Sequence, residues 1–295
     1  MLYETLIWPQ PLVQPLHLTN WSEHSLNLRD SSALTLDALI AGLQSRLDAR
    51  ATAATREWWK KYLRGAASFR GVKMGEVRKS VHAWFEEERV GEGLLVGQQK
   101  DLVLLLLEED HTEDKLAGVL FLQEILLPAG ALDWRSDLPR FASLFDREHI
   151  SDWNVCDWFS VKVLGPLVER KGEACARAIS DWREADSVWR RRASVVAFVN
   201  LAKKGDRNFP GFTEMVLDNC SHLLRSQERF AQTGVGWVLR ELGRSDEGRV
   251  VGFVEANLDR FSREALKNAT KYLQPEAAKR LRDAHLSSAT RGRRR

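Results

Sequence analysis

Trp153 and Asp157 lie four residues apart in the stretch Ser151-Asp152-Trp153-Asn154-Val155-Cys156-Asp157. On a helix that spacing places the indole and the carboxylate on one face, one turn apart. A carboxylate beside a large apolar ring is partly shielded from water, so its field acts on a nearby cation more strongly than it would in bulk solvent. The pair suits the stabilisation of positive charge. The same residues also read as an ordinary helix start, with Ser151 or Asp152 as the N-cap and an early acid complementing the helix dipole.

Three other stretches carry chemistry of interest. Val188-Trp189-Arg190-Arg191-Arg192-Ala193 presents an indole and three guanidiniums, with Arg192 three residues from Trp189 and on its side of a helix. Guanidiniums at a helix surface clamp phosphates, and they also make plain solvated faces. Further on, Phe230 and Trp237 are two turns apart with Gly234 between them and Gly236 beside Trp237. This pattern reads either as helix packing or as a shelf where a flat sugar or base lies against Trp237. Near the start of the chain, Trp58, Trp59 and Tyr62 alternate with Lys60 and Lys61. Aromatics interleaved with cations suit a nucleic-acid backbone and its sugars, although some of these rings must be buried as core.

These stretches need helices to position them. The chain has 295 residues, 44% of them hydrophobic and 29% charged, with only 8 prolines. Long runs rich in Leu, Ala, Arg, Glu and Lys, with few β-branched runs, predict an all-α protein. Residues 1–33 contain Pro9, Pro11 and Pro15 without sustained periodicity and read as an irregular extension that packs on the body through Trp8 and Trp21. From Leu34 the spacing of Leu36, Leu39, Ile40, Leu43 and Leu47 predicts a first helix, and Thr55–Leu63 a second that stops at Gly65. Phe69-Arg70-Gly71-Val72 reads as a glycine turn. Helices follow at about 76–89, 98–109, 113–127, 137–146, 153–169, 171–184, 187–203, 210–224, 227–243, 246–258, 262–273 and 275–284. Short-linked pairs at this recurrence suggest an α-solenoid of HEAT-like pairs over 34–286. The basic tail 287–295 has nothing apolar to pack and reads as disordered.

Composition also sets limits on function. A net charge of +3 permits a polyanionic partner without requiring one. Cys156, Cys175 and Cys220 form no C-x-x-C pair, and the seven histidines lie far apart, so no disulfide framework and no protein-bound metal are expected. Leu102–Leu107 is too short to span a bilayer, and the N-terminus lacks a signal pattern. The expected location is intracellular, cytoplasmic or nuclear, with no membrane association.

Four segments together resemble the AlkD-type DNA alkylation-repair glycosylases in order and approximate spacing: Trp153–Asp157, Val188–Ala193, Gly236-Trp237-Val238-Leu239-Arg240-Glu241 and Arg263-Glu264-Ala265-Leu266-Lys267. The resemblance is best over residues 145–275 and extends weakly to about residue 35 through Tyr62 and Phe69–Val72. It implies a curved HEAT-like solenoid whose concave face grips duplex DNA and excises N3- and N7-alkylated purines without flipping the base into a pocket. By matching position, Asp157 falls on the catalytic carboxylate, Trp153 and Trp237 on the indoles flanking the lesion sugar, and Arg192 on the phosphate-contacting arginine. Tyr62 falls on a tyrosine near the site, and Arg190, Arg191, Arg229, Phe230 and Lys267 are expected as further DNA contacts. Two positions depart from the pattern: Asp152 stands where bacterial relatives have a tryptophan, and Arg229 where they have a second phenylalanine beside Phe230.

The leading function is therefore a monomeric DNA glycosylase with no cofactor, acting on duplex DNA that contains alkylated purines. The alternative is a noncatalytic HEAT-type scaffold binding DNA or a protein. An RNA-binding solenoid ranks last, because no regular base-reading repeat is present. If cations of the chain neutralise phosphates, affinity for undamaged duplex should fall steeply and log-linearly with salt in an anisotropy titration. An affinity that stays flat up to physiological salt would point to a protein partner.

Overall fold

The computed structural model describes residues 35–292, so the N-terminal extension over 1–33, with Trp8 and Trp21, lies outside the described residues. Among the described residues the chain is all helical, with no strand and one isolated bridge between Ser68 and His111. The α-helices of the first half are α1 (Leu36–Asp48), α2 (Ala53–Tyr62), α3 (Met74–Glu87), α4 (Val90–Gly93), α5 (Val96–Glu108), α6 (Thr112–Phe121) and α7 (Trp134–Asp146). Those of the second half are α8 (Trp153–Phe159), α9 (Gly165–Lys171), α10 (Glu173–Ser180), α11 (Val188–Val196), α12 (Val199–Ala202), α13 (Phe212–Leu223), α14 (Arg229–Leu242), α15 (Glu247–Ala256), α16 (Arg263–Ala269) and α17 (Pro275–Gly292).

The helices pack in two rows. One row runs α1, α5, α7, α10, α13, and the other runs α3, α6, α8, α11, α14, α16, each helix touching the next and the rows touching each other. This is the α-solenoid arrangement expected from the recurring pairs. Helix α1 shows how local signals produce it: the Thr35 side chain accepts a hydrogen bond from the Ala38 amide at 3.2 Å, and Leu39, Ile40, Leu43 and Leu47 are buried on one stripe. Leu102, Val103, Leu106 and Leu107 of the apolar run are buried in α5.

Several boundaries differ from the sequence reading. The helix expected at 113–127 changes to π-helical turns over Leu122–Leu126, and the one at 153–169 does so over Ser160–Leu164. In the first, the Leu127 amide reaches back five residues to the Leu122 carbonyl at 2.9 Å, an insertion that hydrophobic periodicity does not reveal. The helix expected at 187–203 breaks between α11 and α12, and α4 was not foreseen. Helix α17 continues to Gly292, past the boundary placed at 286, because extending a formed helix adds a backbone hydrogen bond per residue without needing an apolar face.

The feature of the fold that bears most on the site is the anchoring of α2. Gly71 has φ of +101°, and a Cβ there would lie 2.5 Å from the Thr52 carbonyl, which precedes α2. The Thr52 amide donates to the Gly71 carbonyl at 2.9 Å. The buried Glu113 carboxylate, at the start of α6, accepts the amides of Arg70, Gly71 and Val72 at 2.9, 2.8 and 2.9 Å. Arg70 itself grips Asp114 through two guanidinium nitrogens and Asp48 at 2.7 Å. Glu113→Ala leaves three amides without a charged acceptor and should lower the unfolding free energy by at least about 3 kcal/mol in urea denaturation. Glu113→Gln, which keeps an acceptor oxygen, should lose less. A change below about 1 kcal/mol in the alanine variant would mean that the carboxylate does not hold this loop.

Candidate nucleic-acid cleft and its buried ion pair

Helix α8 begins at the stretch that drew attention in the sequence. Asp152 is its N-cap, Oδ1 accepting the amides of Asn154 at 2.7 Å and Val155 at 3.0 Å, so the choice between Ser151 and Asp152 falls to Asp152. The residue that departs from the bacterial pattern thus takes a structural role, and burial pushes its carboxyl above the usual range. The cap orients the first turn: Trp153 is half-buried at the surface, and Asp157, one turn on, is turned inward and 1% exposed.

Asp157 meets Arg192, also 1% exposed, from α11. Arg192 Nε donates to Oδ1 at 2.7 Å and Nη2 to Oδ2 at 2.8 Å, a two-point pairing of planar groups. Arg192 Nη1 donates to the Phe230 carbonyl at 2.7 Å and the Thr233 hydroxyl at 3.0 Å. Burial pushes the Asp157 carboxyl up, and the Arg192 charge and hydrogen bonds oppose that. The neighbouring Cys156 thiol is pushed well up by burial and donates to the Trp189 carbonyl at 3.4 Å, which makes it a packed side chain with no thiolate character.

Above this pair lies a cleft of about 360 Å³. Lys61, Tyr62, Leu63, Arg64 and Ala66 wall one side, Trp153 and Arg192 line it from α8 and α11, and Arg229, Phe230 and Thr233 come from the start of α14. Tyr62 meets Trp153 edge to face at 5.3 Å between ring centres, closing the wall between α2 and α8. A larger depression of about 560 Å³, bordered by Lys204–Arg207 and Arg244–Asp246, contains none of the sequence candidates. Its charged side chains already have partners: Lys204 pairs with Glu169, Asp206 and Asp246 with Arg249, and Arg244 with Glu241, while Arg207 donates to the carbonyls of Lys203 and Lys204.

The structure therefore brings Tyr62, Trp153, Arg192, Arg229 and Phe230 to one cleft, with Asp157 directly behind Arg192. Other expected residues lie elsewhere. Trp237 is nearly covered within α14 and does not line the cleft. The room that glycines were expected to leave beside it is occupied: a Cβ on Gly234 would sit 3.4 Å from the Arg192 side chain, and one on Gly236 only 2.6 Å from the Ala265 carbonyl. These glycines let α14 approach α11 and α16 closely. Lys267 is exposed on α16, outside the cleft lining.

The arginine cluster also differs from a row of free phosphate clamps. Arg190 donates to Asp146 at 2.7 Å and lies over the Trp182 ring. Arg191 pairs with Glu228 and donates to the carbonyls of Ala185 and Asp186, both at 2.7 Å. Arg192 is buried, so the surface clamp expected of it requires its release from Asp157. Arg229 pairs with Glu264 at 2.8 and 2.9 Å while lying over Phe230, which fixes its guanidinium at the rim. Sequence reasoning named the cations and missed the acids opposite them, which lie 35 to 44 residues away along the chain. It also missed Thr233, one turn from Phe230, and Arg64, just beyond the end of α2.

A family model described as DNA alkylation repair enzyme matches residues 43–273. The chain belongs to this family of DNA alkylation repair enzymes. Among solved structures, an Enterococcus faecalis protein described as a predicted DNA alkylation repair enzyme aligns over 77% of this chain and 98% of that one, with a TM-score of 0.64 and 15% sequence identity. At that identity the likeness establishes the fold alone. No curated protein matches. Membership of the DNA alkylation repair family agrees with a solenoid in which no described helix is long and apolar enough to cross a membrane.

The ion pair makes a sharp stability prediction. Arg192→Ala strands a buried carboxylate and should cost about 3–5 kcal/mol in chemical denaturation. The double variant Asp157→Asn/Arg192→Met should lose less than the sum of its single changes, because neither charge is then left alone. Additive losses would show that the two groups do not act as a pair.

Proposed function

We propose that this DNA alkylation repair protein is an AlkD-type glycosylase that hydrolyses the N-glycosidic bond of N3- and N7-alkylated purines in duplex DNA. The observation that carries this reading is the buried Asp157–Arg192 pair at the floor of a cleft walled by Tyr62 and Trp153, in a chain whose family repairs alkylated DNA. A purine alkylated at N3 or N7 is already cationic and leaves with its bonding electrons, building positive charge on the deoxyribose. A fixed carboxylate stabilises that charge and orients the attacking water. The parallel with glycosidases is one of transition-state charge.

In the free protein both carboxylate oxygens of Asp157 are held by Arg192. A backbone phosphate entering the cleft competes for the same guanidinium, and transfer of one N–H from the carboxylate to the phosphate turns an Asp157 oxygen toward the sugar. Trp153 and Tyr62 then flank the sugar and exclude bulk solvent, leaving the one water that Asp157 orients. Trp237, nearly covered in α14, supports the packing behind the cleft and is assigned no sugar contact. The burial and full pairing of Asp157 also favour a second reading, a noncatalytic DNA-binding scaffold in which the ion pair is structural.

Release of free base from duplex containing 7-methylguanine separates the two. The glycosylase reading predicts release by the wild-type protein and a rate at least about a hundredfold lower in Asp157→Asn. The variant should be assayed where circular dichroism shows it folded, because Arg192 loses its counter-charge. The defect should be smaller for 3-methyladenine, which departs more readily unaided. No release by the wild type, or equal rates in the two proteins, would leave the scaffold reading.

A further inference from the structure

Helix α2 differs from the other elements around the cleft. None of its ten residues is buried, and Trp58, 57% exposed, is one of only four exposed large hydrophobics among the described residues. The helix is held by Trp59, stacked on Phe69 at 5.3 Å and 4°, and by Tyr62 against Trp153. Trp58 makes ring contacts only within the helix, meeting Trp59 edge to face at 4.8 Å. It lies nearly parallel to Tyr62, at 5.0 Å and 13°, so one indole face rests on a cleft residue. The three rings Trp153, Tyr62 and Trp58 form a path from the cleft to solvent.

The charge on α2 points to the occupant. The segment carries Arg56, Lys60, Lys61 and Arg64 against the single acid Glu57. Lys60, Lys61 and Arg64 make no side-chain hydrogen bond or ion pair with the described residues, whereas Arg190, Arg191, Arg192 and Arg229 are all paired with acids. The uncommitted cations beside the cleft are therefore those that flank the exposed indole. Cations and an open aromatic face together suit a phosphodiester and a base. In an intact duplex both faces of each base are covered by its neighbours, so a base must leave the stack before it can lie on an indole.

We propose that α2 is a second recognition element, on which Trp58 stacks an unpaired nucleobase while Lys61 and Arg64 hold the adjoining phosphates. It rests on the reading of the cleft as a DNA site, and it extends that reading to duplex distorted beside the lesion. The consequence is a preference for DNA with a displaced base.

Anisotropy titrations with a fully paired labelled duplex and the same duplex bearing a one-adenine bulge test this. Wild-type protein should bind the bulged duplex about tenfold more tightly, and 2-aminopurine at the bulge should lose fluorescence on binding as it stacks. Trp58→Ala, a surface change that leaves the core intact, should reduce the ratio to about one and leave the 2-aminopurine bright, while Trp58→Phe should restore most of it. Lys61→Ala/Arg64→Ala should weaken binding to both duplexes. Equal wild-type affinities, or a preference that survives Trp58→Ala, would overturn the proposal. Release of 7-methylguanine is measured on the same preparations, so the two readings fail separately: release without bulge preference sinks this one, and a Trp58-dependent preference without release sinks the glycosylase.

Discussion

The pairing of Asp157 with Arg192 constrains everything around it. Two opposite charges removed from water are tolerable only if each lone pair and donor is met, and here the guanidinium fork meets both carboxylate oxygens while its remaining nitrogen meets Phe230 and Thr233. That requirement ties α8, α11 and α14 into one register. It also accounts for Gly234, because a side chain there would crowd the Arg192 stem. The Asp152 cap then sets the first turn of α8 so that Asp157 points inward and Trp153 outward.

The cleft has one wall made by adjacent helices of a row and one made by α2, which packs through a few aromatic contacts and a loop pinned by Glu113. A wall attached by so few contacts belongs to the low-stability end of a fold, where binding elements are commonly found. The distribution of charge follows the same division. Arg190, Arg191, Arg192 and Arg229, on the packed row beside the cleft, are paired with acids, and Lys60, Lys61 and Arg64 at the end of α2 face solvent. The net charge of +3 says nothing of this arrangement, because the field that a polyanion meets depends on which cations are already paired.

Much of the fold was legible in the sequence, because helices are local. The stripe Leu39, Ile40, Leu43 and Leu47 and the turn at Gly71 each depend on residues a few positions apart, and both appear where the spacing put them. The π-helical turns at Leu122–Leu126 and Ser160–Leu164 were not legible. They depend on how a helix fits its neighbours, and they leave the hydrophobic pattern nearly unchanged.

By itself the sequence determined the all-helical class, the pairing of helices along the chain, and the order of the segments that carry Trp153, Asp157, Arg192 and Trp237. Only the tertiary structure decided which of those side chains meet. Helical periodicity defines a face but not what lies opposite it, so Arg190, Arg191 and Arg192 read as one basic surface until their acids were seen across the row. For the same reason Trp237 and its glycines read as a packing seam first and as a ligand shelf second. The seam prevailed because α14 is covered on both flanks, by α11 and α16, and a helix so enclosed has no face left for a ligand along most of its length.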